Sequence, residues 1–449
     1  MNNKNILFIT TAFSPENAVG SIRTTKIVKY LIKNNFKVTV ISPKLHESTK
    51  LDYSNECIEL DKVERILIPH SKLFESIFLK RRNKMIQKKS AANYLEVKNK
   101  KSIISVLKSQ LFICIHFLYT FIRNKDWSRE VNKYIVKNID IQEYTGLISS
   151  YPSLSAHWIS YKISKNHGLV WIADFRDPIN YEANSNKIIN KINSYFQNKI
   201  ANKATYITSI SEDIFFKFDI KNKTNTNKYI CIPNGFDPAD LQEQKVELNK
   251  NENKLNLCYV GSLYGGKRDL SVIFEAIEIL INENKINKDL INFIYAGNEF
   301  DVLKNQAEKY NLSSLLVNRG FVSRLESVEI QSKSDLIVIT TWNTKNDQGI
   351  LTGKLFECLL TKKMILGVVN GTVPNSEMKR LVKKINGGFV FEESSLNYNE
   401  EFHELKEFIL KLYLEKLKTE NVVSTYNEKI NDYTYSRITE SIINLLEHS

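Results

Sequence analysis

Short apolar runs alternate along this chain with stretches whose apolar residues recur at helical spacing, the pattern of parallel strands covered by helices. Ile6 to Ile9 reads as a buried strand, Thr11 to Gly20 as a loop, and Ser21 as the cap of a helix carrying Ile22, Ile27, Val28, Leu31 and Ile32. Lys37 to Ile41 is the next strand, which completes one βαβ unit. After a less regular stretch the pattern resumes at Leu147-Ile148, Leu169 to Ala173, Tyr206 to Ile210 and Tyr229 to Ile232. Gln242 to Lys254 is almost wholly polar and reads as a linker. A second series starts with Leu255 to Val260 and runs through Phe293 to Tyr295, Leu315 to Val317, Leu336 to Ile339 and Met364 to Leu366. No short internal repeat is present. The expected architecture is α/β: two doubly wound, Rossmann-like parallel-sheet domains facing each other across a cleft, the first over 1–241 and the second over 255–425.

A length of 449 residues suits two or three domains. The 63 Lys and Arg against 50 Asp and Glu give a net charge of +13, which points to an anionic partner: nucleic acid, acidic lipid or a phosphorylated substrate. Charge alone does not choose among them. The five cysteines, Cys57, Cys114, Cys231, Cys258 and Cys358, form no CxxC and sit mostly in apolar runs, so reduced core thiols are expected rather than disulfides or a zinc site. Ile6 to Ile9 is of strand length and is followed by Pro15 and Gly20, so no signal peptide is read and a cytoplasmic chain is expected.

The richest stretch is Gly261-Ser-Leu-Tyr-Gly-Gly-Lys267, directly after the strand Leu255 to Val260. Glycines let backbone approach an anion, and the next helix, with Leu270, Ile273, Phe274, Ile277, Leu280 and Ile281 on one face, would aim its free amides at the same point. A βα turn that binds nothing fits the same residues. The spelling G-x-x-x-x-G-K suggests a triphosphatase P-loop, but Arg268 stands where that loop needs Ser or Thr, and Asp335 precedes its strand instead of following it. A second cluster, Gly349 to Glu357, lies between two strands of the same domain. Gly353 and Lys354 would open a helix with amides free for an anion, and Glu357 would accept from ribose hydroxyls. Glu357 equally fits a solvated helix residue or a partner for Lys354.

No Asp-x-Asp occurs, and the seven histidines show no metal-ligand spacing. No metal is therefore expected, and the charge of a leaving diphosphate would fall to Lys267, Arg268, Lys354 and helix N-termini. Asp174, Arg176 and Asp177 follow the strand Leu169 to Ala173 and are catalytic candidates, with a structural Arg–Asp pair as the competing reading. His157 is a candidate for ligand contact, or else a helical histidine partly packed in the core. Lys80 to Lys84, Lys88-Lys89 and Lys98 to Lys101 precede the apolar, aromatic run Leu111 to Ile122, within a basic and apolar insertion over about 68–125. That run falls short of the ~20 residues that span a bilayer. Docking on an anionic membrane surface and burial as a core helix both fit it.

Taken together, these segments resemble the retaining, nucleotide-sugar-dependent glycosyltransferases of GT-B architecture, the family often numbered four. The resemblance rests on Ile6 to Lys44 with its Gly20-Ser21 turn, Ala173-Asp-Phe-Arg-Asp-Pro178, Ile232-Pro-Asn-Gly-Phe-Asp237, the Gly261 loop, Gly320-Phe-Val-Ser323 and Gly353-Lys-Leu-Phe-Glu357. Asp-Phe-Arg-Asp-Pro and Leu-Tyr-Gly-Gly look like the branch found in bacterial surface-polysaccharide clusters. Tyr435 to Leu446 looks like the last helix of such enzymes, so 426–449 is expected to return to the first domain. The resemblance implies that Lys267 binds the donor phosphates, with Arg268 standing in for the arginine that Ser262 replaces. It implies that Glu357 holds the nucleotide ribose, that Gly320 and Val322 flank the base, and that Gly20 and Ser21 lie near the diphosphate and the acceptor. The first glutamate of the family's pair falls at Gly349, so its contact with the donor sugar is missing or passes to Asp347 or Gln348. The implied activity is transfer, with retention, of a sugar from a nucleotide diphosphate to a lipid-linked or polysaccharide acceptor in capsule, O-antigen or exopolysaccharide synthesis. It needs no cofactor beyond the donor and no nucleic acid. A non-catalytic nucleotide-sugar-binding partner and a sugar-nucleotide epimerase on the same fold are the alternatives.

Overall fold

The computed structural model describes residues 4–47, 49–76, 103–177, 179, 186–216, 226–242, 253–345, 351 and 353–448. The chain divides into two units, the first comprising Met1–Ile232 and Thr439–Ser449, the second Pro233–Ile438. The division falls upstream of the expected boundary at 241. The reason is Phe236, which joins the core around Phe356, Ile430 and Tyr433 and exchanges backbone hydrogen bonds with Tyr433 and Tyr435. The last helix, Tyr435–Glu447, begins in the second unit, and its residues from Thr439 onward belong to the first. There Leu446 packs where a side chain at Gly146 would stand, and Lys4 pairs with Glu447 at 2.8 Å. Most of the polar linker, 243–252, lies outside the described residues.

The first unit is built on β1 (Asn5–Ile9), β2 (Lys37–Pro43), β3 (Glu64–Ile68), β4 (Gly146–Tyr151), β5 (Val170–Phe175), β6 (Tyr206–Ser209) and β7 (Tyr229–Cys231). These pair in parallel in the order β3-β2-β1-β4-β5-β6-β7. The second carries β8 (Leu255–Val260), β9 (Ile291–Ala296), β10 (Leu316–Gly320), β11 (Leu336–Asn343), β12 (Met364–Gly371) and β13 (Gly388–Glu392) in the order β10-β9-β8-β11-β12-β13. Both orders reverse direction once, between β1 and β4 and between β8 and β11. At such a switch point the connections leave to opposite sides, opening a crevice at the carboxyl ends of the strands. The central strands are buried almost throughout because helices cover both faces. The second sheet separates one apolar cluster, around Phe274, Phe293 and Leu412, from another around Phe356, Leu359 and Leu381.

Two edge strands escaped the reading of apolar runs. β3 is half exposed, with the burial of an edge strand, and lies in the stretch read as irregular; β13 sits at the rim of the second sheet. Two expectations are corrected, for Ser21 and the cysteines. Ser21 is not a helix cap: the helix starts at Val19 after an extended Ala18, and Ser21 Oγ, inside the first turn, donates to the carbonyls of Glu16 and Ala18. Only Cys258 and Cys358 are core thiols; Cys57 and Cys231 are half-buried, and Cys114 is exposed. The run Leu111 to Ile122 belongs to a 36-residue helix, Ile103–Asn138. Its later part is anchored by buried Trp127, Val131 and Ile135, and Trp127 Nε1 donates to the Ile68 carbonyl at 3.0 Å. Leu111, Ile115, Leu118 and Ile122, spaced along one helical face, remain largely exposed.

Candidate functional site

In the second unit the two glycine-bearing segments leave neighbouring strands at the switch point, the Gly261 loop after β8 and the helix Gly353–Thr361 after β11. Gly261 has φ +145, and a Cβ there would collide with Lys354 Nζ, so glycine is required both for its backbone and for the lysine tucked against it. Lys354 Nζ reaches the Val260 carbonyl at 3.5 Å. Its pKa lies below the ordinary lysine value, first because its surroundings strip water from the ammonium, then because the Arg268 charge repels it, with Glu357 pulling weakly the other way.

Lys267 and Arg268 converge on Trp342, at the end of β11. Lys267 Nζ stands 3.8 Å from the centre of a Trp342 ring, and the Arg268 guanidinium lies 4.6 Å from the Tyr264 ring and 5.4 Å from Trp342. Arg268 is buried, donating to the Tyr259 hydroxyl and the Ser262 carbonyl at 3.3 and 3.1 Å. Three cations thus surround one glycine turn.

The loop does not offer its backbone as expected. Glu299, at the start of the helix Phe300–Glu308, takes the amides of Leu263, Tyr264 and Gly265 at 2.6, 3.1 and 2.7 Å and also the Ser262 hydroxyl. Those bonds hold its carboxyl below the usual range, although burial alone would raise it. The next helix starts only at Ser271, and the amides of Asp269, Leu270 and Ser271 go to Asn370, Gln306 and Asp269 side chains. An anion here would meet the cationic side chains rather than these amides. The helix beginning at Gly353 differs, since a Cβ on Gly353 would meet nothing within 4 Å.

Glu357 pairs with Arg324 rather than Lys354: Arg324 Nε donates to its Oε1 at 2.7 Å, and Arg324 also bridges to Asp240 at 3.3 Å. Gly320 ends β10 with φ +66 and open space beside it, and Val322 follows half-buried before the Ser323–Glu326 capping box. Gly349, Asp347 and Gln348 lie outside the described residues, as do the basic runs between Lys80 and Lys101.

In the first unit the candidates part company. Asp174 is fully enclosed and accepts from Arg23 Nε and Nη2, Ser150 and Thr208 at 2.9–3.2 Å. Burial would raise its pKa, but the Arg23 charge and these bonds hold it below the carboxylate range. The structural Arg–Asp pair therefore exists: Arg23 bonds to Asp174, and the Arg176 charge also acts on that carboxylate. His157 is buried completely, with Nδ1 2.7 Å from Ser149 Oγ and its ring 4.4 Å from Phe175. Burial drives its pKa to about 3, so it is neutral and sealed from solvent, a core histidine in the place proposed for ligand contact. Arg176 and Gly20 do meet: the guanidinium occupies the space that a Cβ on Gly20 would need. Both line a cavity of about 990 Å³ at the β1/β4 switch point. Asp177, half-buried, follows in the bend after β5 and is not among the cavity's lining residues.

Sequence reasoning missed Trp342, Arg324 and Glu299. Trp342 carried a usable signal, an aromatic closing an apolar run at a strand's carboxyl end; the other two are fixed by tertiary packing.

The sequence matches no family model and no curated protein. Solved structures match it over nearly its whole length. A sucrose-phosphate synthase from Thermosynechococcus elongatus is similar with TM-score 0.61 and 11% identity over 99% of this chain and 98% of that one. Anabaena HepE in complex with UDP gives 0.57 and 13% over 99% and 100%. A UDP-forming α,α-trehalose-phosphate synthase from Burkholderia vietnamiensis gives 0.57 and 8% over 99% and 100%. At such identities the likeness establishes the fold, and the fold is GT-B: two Rossmann-like parallel-sheet domains.

Proposed function

We propose that the protein is a glycosyltransferase that takes a nucleotide diphosphate sugar as donor and transfers the sugar with retention. The observation that carries this reading is the trio Lys267, Arg268 and Lys354 around the Gly261 turn, at the point where an open α/β sheet binds its ligand. A depressed lysine beside an arginine is short of negative charge, and a diphosphate supplies it. That similar structures hold UDP or UDP-glucose supports a nucleotide sugar. Glu357 and Arg324 would then hold the ribose, with Gly320 and Val322 beside the base.

The residues assign themselves roles in such a transfer. Charge developing on the departing diphosphate would be met by Lys354, Lys267 and the amides opening the Gly353–Thr361 helix, without a divalent cation. With retention, a donor phosphate oxygen accepts the proton of the attacking hydroxyl on the same face, and no enzyme nucleophile is required. Asp174 and His157 contribute by holding the first unit together. A lipid-linked acceptor of surface-polysaccharide synthesis fits the exposed stripe Leu111, Ile115, Leu118 and Ile122, which suits an interfacial position. Among the described residues no helix is long and apolar enough to cross a membrane.

The test is a thermal-shift screen against nucleotide sugars, since a specific donor stabilises the folded state by mass action. A donor that raises the melting temperature, followed by release of its nucleoside diphosphate only with an acceptor, supports the reading; no stabilisation by any nucleotide or nucleotide sugar refutes it.

A further inference from the structure

The stretch that carries Lys267 and Arg268 lies between regular elements: β8 ends at Val260, the next helix starts at Ser271, and only the 3₁₀ turn Tyr264–Gly266 intervenes. Cations on such a stretch hold an anion poorly unless the backbone beneath them is already fixed, because ordering it on binding opposes association. Two side-chain amides fix it. Gln306, on the helix Phe300–Glu308, accepts the Leu270 amide at Oε1 at 3.0 Å and donates from Nε2 to the Arg268 carbonyl at 3.3 Å. Asn370, one residue before the end of β12, accepts the Asp269 amide at 3.0 Å and donates to the Asp269 carbonyl at 3.1 Å. A carboxamide carries an acceptor and a donor side by side, so each pairs with the loop as the backbone of a neighbouring strand would. The Thr340 hydroxyl of β11 donates to Asn370 Oδ1 at 3.4 Å, which ties that amide to the strand bearing Trp342. The Arg268 guanidinium is held as well, by the Tyr259 hydroxyl and the Ser262 carbonyl. Its Nε is buried with no partner among the described residues, so a fixed arginine keeps a donor to spare.

We infer that Gln306 and Asn370 are positioning residues for the diphosphate cations, acting through the backbone of residues 268–270 rather than by contact with the ligand. They set where Arg268, and Lys267 beside it, present their charge. The inference rests on the reading of the Gly261 turn as a diphosphate site. Glu299 braces the same loop at Leu263, Tyr264 and Gly265, but its charge would also act on a diphosphate directly. The two neutral amides separate position from charge.

The experiment compares UDP with uridine on the full-length protein, UDP by calorimetric titration and uridine by saturation-transfer NMR. Gln306→Met and Asn370→Leu keep nearly the original volume, leave the charge unchanged and remove both bonds of each amide. Each should weaken UDP about tenfold, the scale of two neutral hydrogen bonds that no longer hold the loop. Uridine carries no phosphate and should stay within about twofold of its wild-type affinity. A residue serving stability alone would lower the melting temperature and leave the ratio of the two affinities as it was. If ADP or GDP binds in place of UDP, the same comparison uses that nucleotide and its nucleoside. Circular dichroism and melting temperature establish folding, and half-buried Asn370→Leu decides alone if buried Gln306→Met does not fold. An unchanged affinity ratio in the folded variants overturns the inference and leaves nucleotide binding standing. Failure of both variants to fold overturns it too, since the amides would then hold the unit together rather than aim the loop. A wild type that binds none of the three nucleotides removes the diphosphate site and this inference with it.

Discussion

Replacing Lys354 with methionine separates binding from stability in a way that only a ligand-binding lysine allows. Methionine keeps most of the stem and removes the ammonium that sits against Gly261. A hydrogen bond to a charged group contributes about 1.5–3 kcal/mol, so UDP should bind the variant roughly ten- to a hundredfold more weakly. Lys267→Ala should do less damage. Its ammonium rests on Trp342 at 3.8 Å, and a cation–π contact of roughly 0.5–2 kcal/mol must be given up or shared before it serves a phosphate. The unliganded protein should respond in the opposite sense. A lysine whose folded pKa lies below its unfolded value of 10.5 opposes folding while charged; the cost is complete below the folded pKa and fades as pH rises from there to 10.5. Lys354→Met should therefore melt at or above the wild-type temperature while losing UDP affinity. Calorimetric titration and thermal melting measure both quantities on one preparation. A variant that melts several degrees lower yet binds UDP as before would show Lys354 to be structural and would remove the main support for a diphosphate site.

Asp174→Asn strips the charge facing buried Arg23 and should destabilise the first unit by about 3–5 kcal/mol in urea unfolding; less than 1 kcal/mol would contradict the buried-pair account. Glu299→Gln weakens the loop's bonds and should cost about 1–2 kcal/mol at pH 7, discounted because the carboxylate is partly exposed. Because the folded pKa of Glu299 is depressed, that difference should be complete above the reference value of 4.5 and vanish as pH falls through the folded value; a pH-independent difference would refute the assignment. Turnover should persist in EDTA, and abolition by chelation with rescue by Mg²⁺ or Mn²⁺ would overturn metal independence. Flotation with anionic liposomes should carry the wild type at low salt, and Leu118→Asp in the exposed stripe should abolish it; unchanged flotation of the variant would place the contact elsewhere.

What was legible in the sequence follows from how each feature is encoded. Central strands such as Leu255–Val260 are buried on both faces, so they stand out as mainly apolar stretches, and the glycine that follows this one is demanded by local backbone and close approach. The edge strands β3 and β13 offer only three-residue apolar stretches, Ile66 to Ile68 and Phe389 to Phe391, flanked by glycine or charged residues. Partnerships across long separations were invisible for a different reason. Asp174 bonds to Arg23, 151 positions away, and Glu357 bonds to Arg324, 33 positions away, because the sheet order brings distant segments together. Glu299 is the sharpest case. Glycine spacing announced an anion nest, and the anion that fills it is a side chain of the protein itself.

That self-filling sharpens the division of labour between the two switch points. In the second unit Glu299 takes three amides of the glycine loop, and the Asn370, Gln306 and Asp269 side chains take the amides that lead into the next helix, so the charge this crevice offers comes from the side chains of Lys267, Arg268 and Lys354. In the first unit the corresponding crevice is lined by apolar residues such as Phe117 and Phe121 together with His70, which Asp126 holds, and its most obvious ion pair, Arg23 with Asp174, is spent within the core. One sheet topology, used twice, thus yields two crevices with different linings, because the fold dictates where the loops emerge while the residues on those loops decide what each crevice presents.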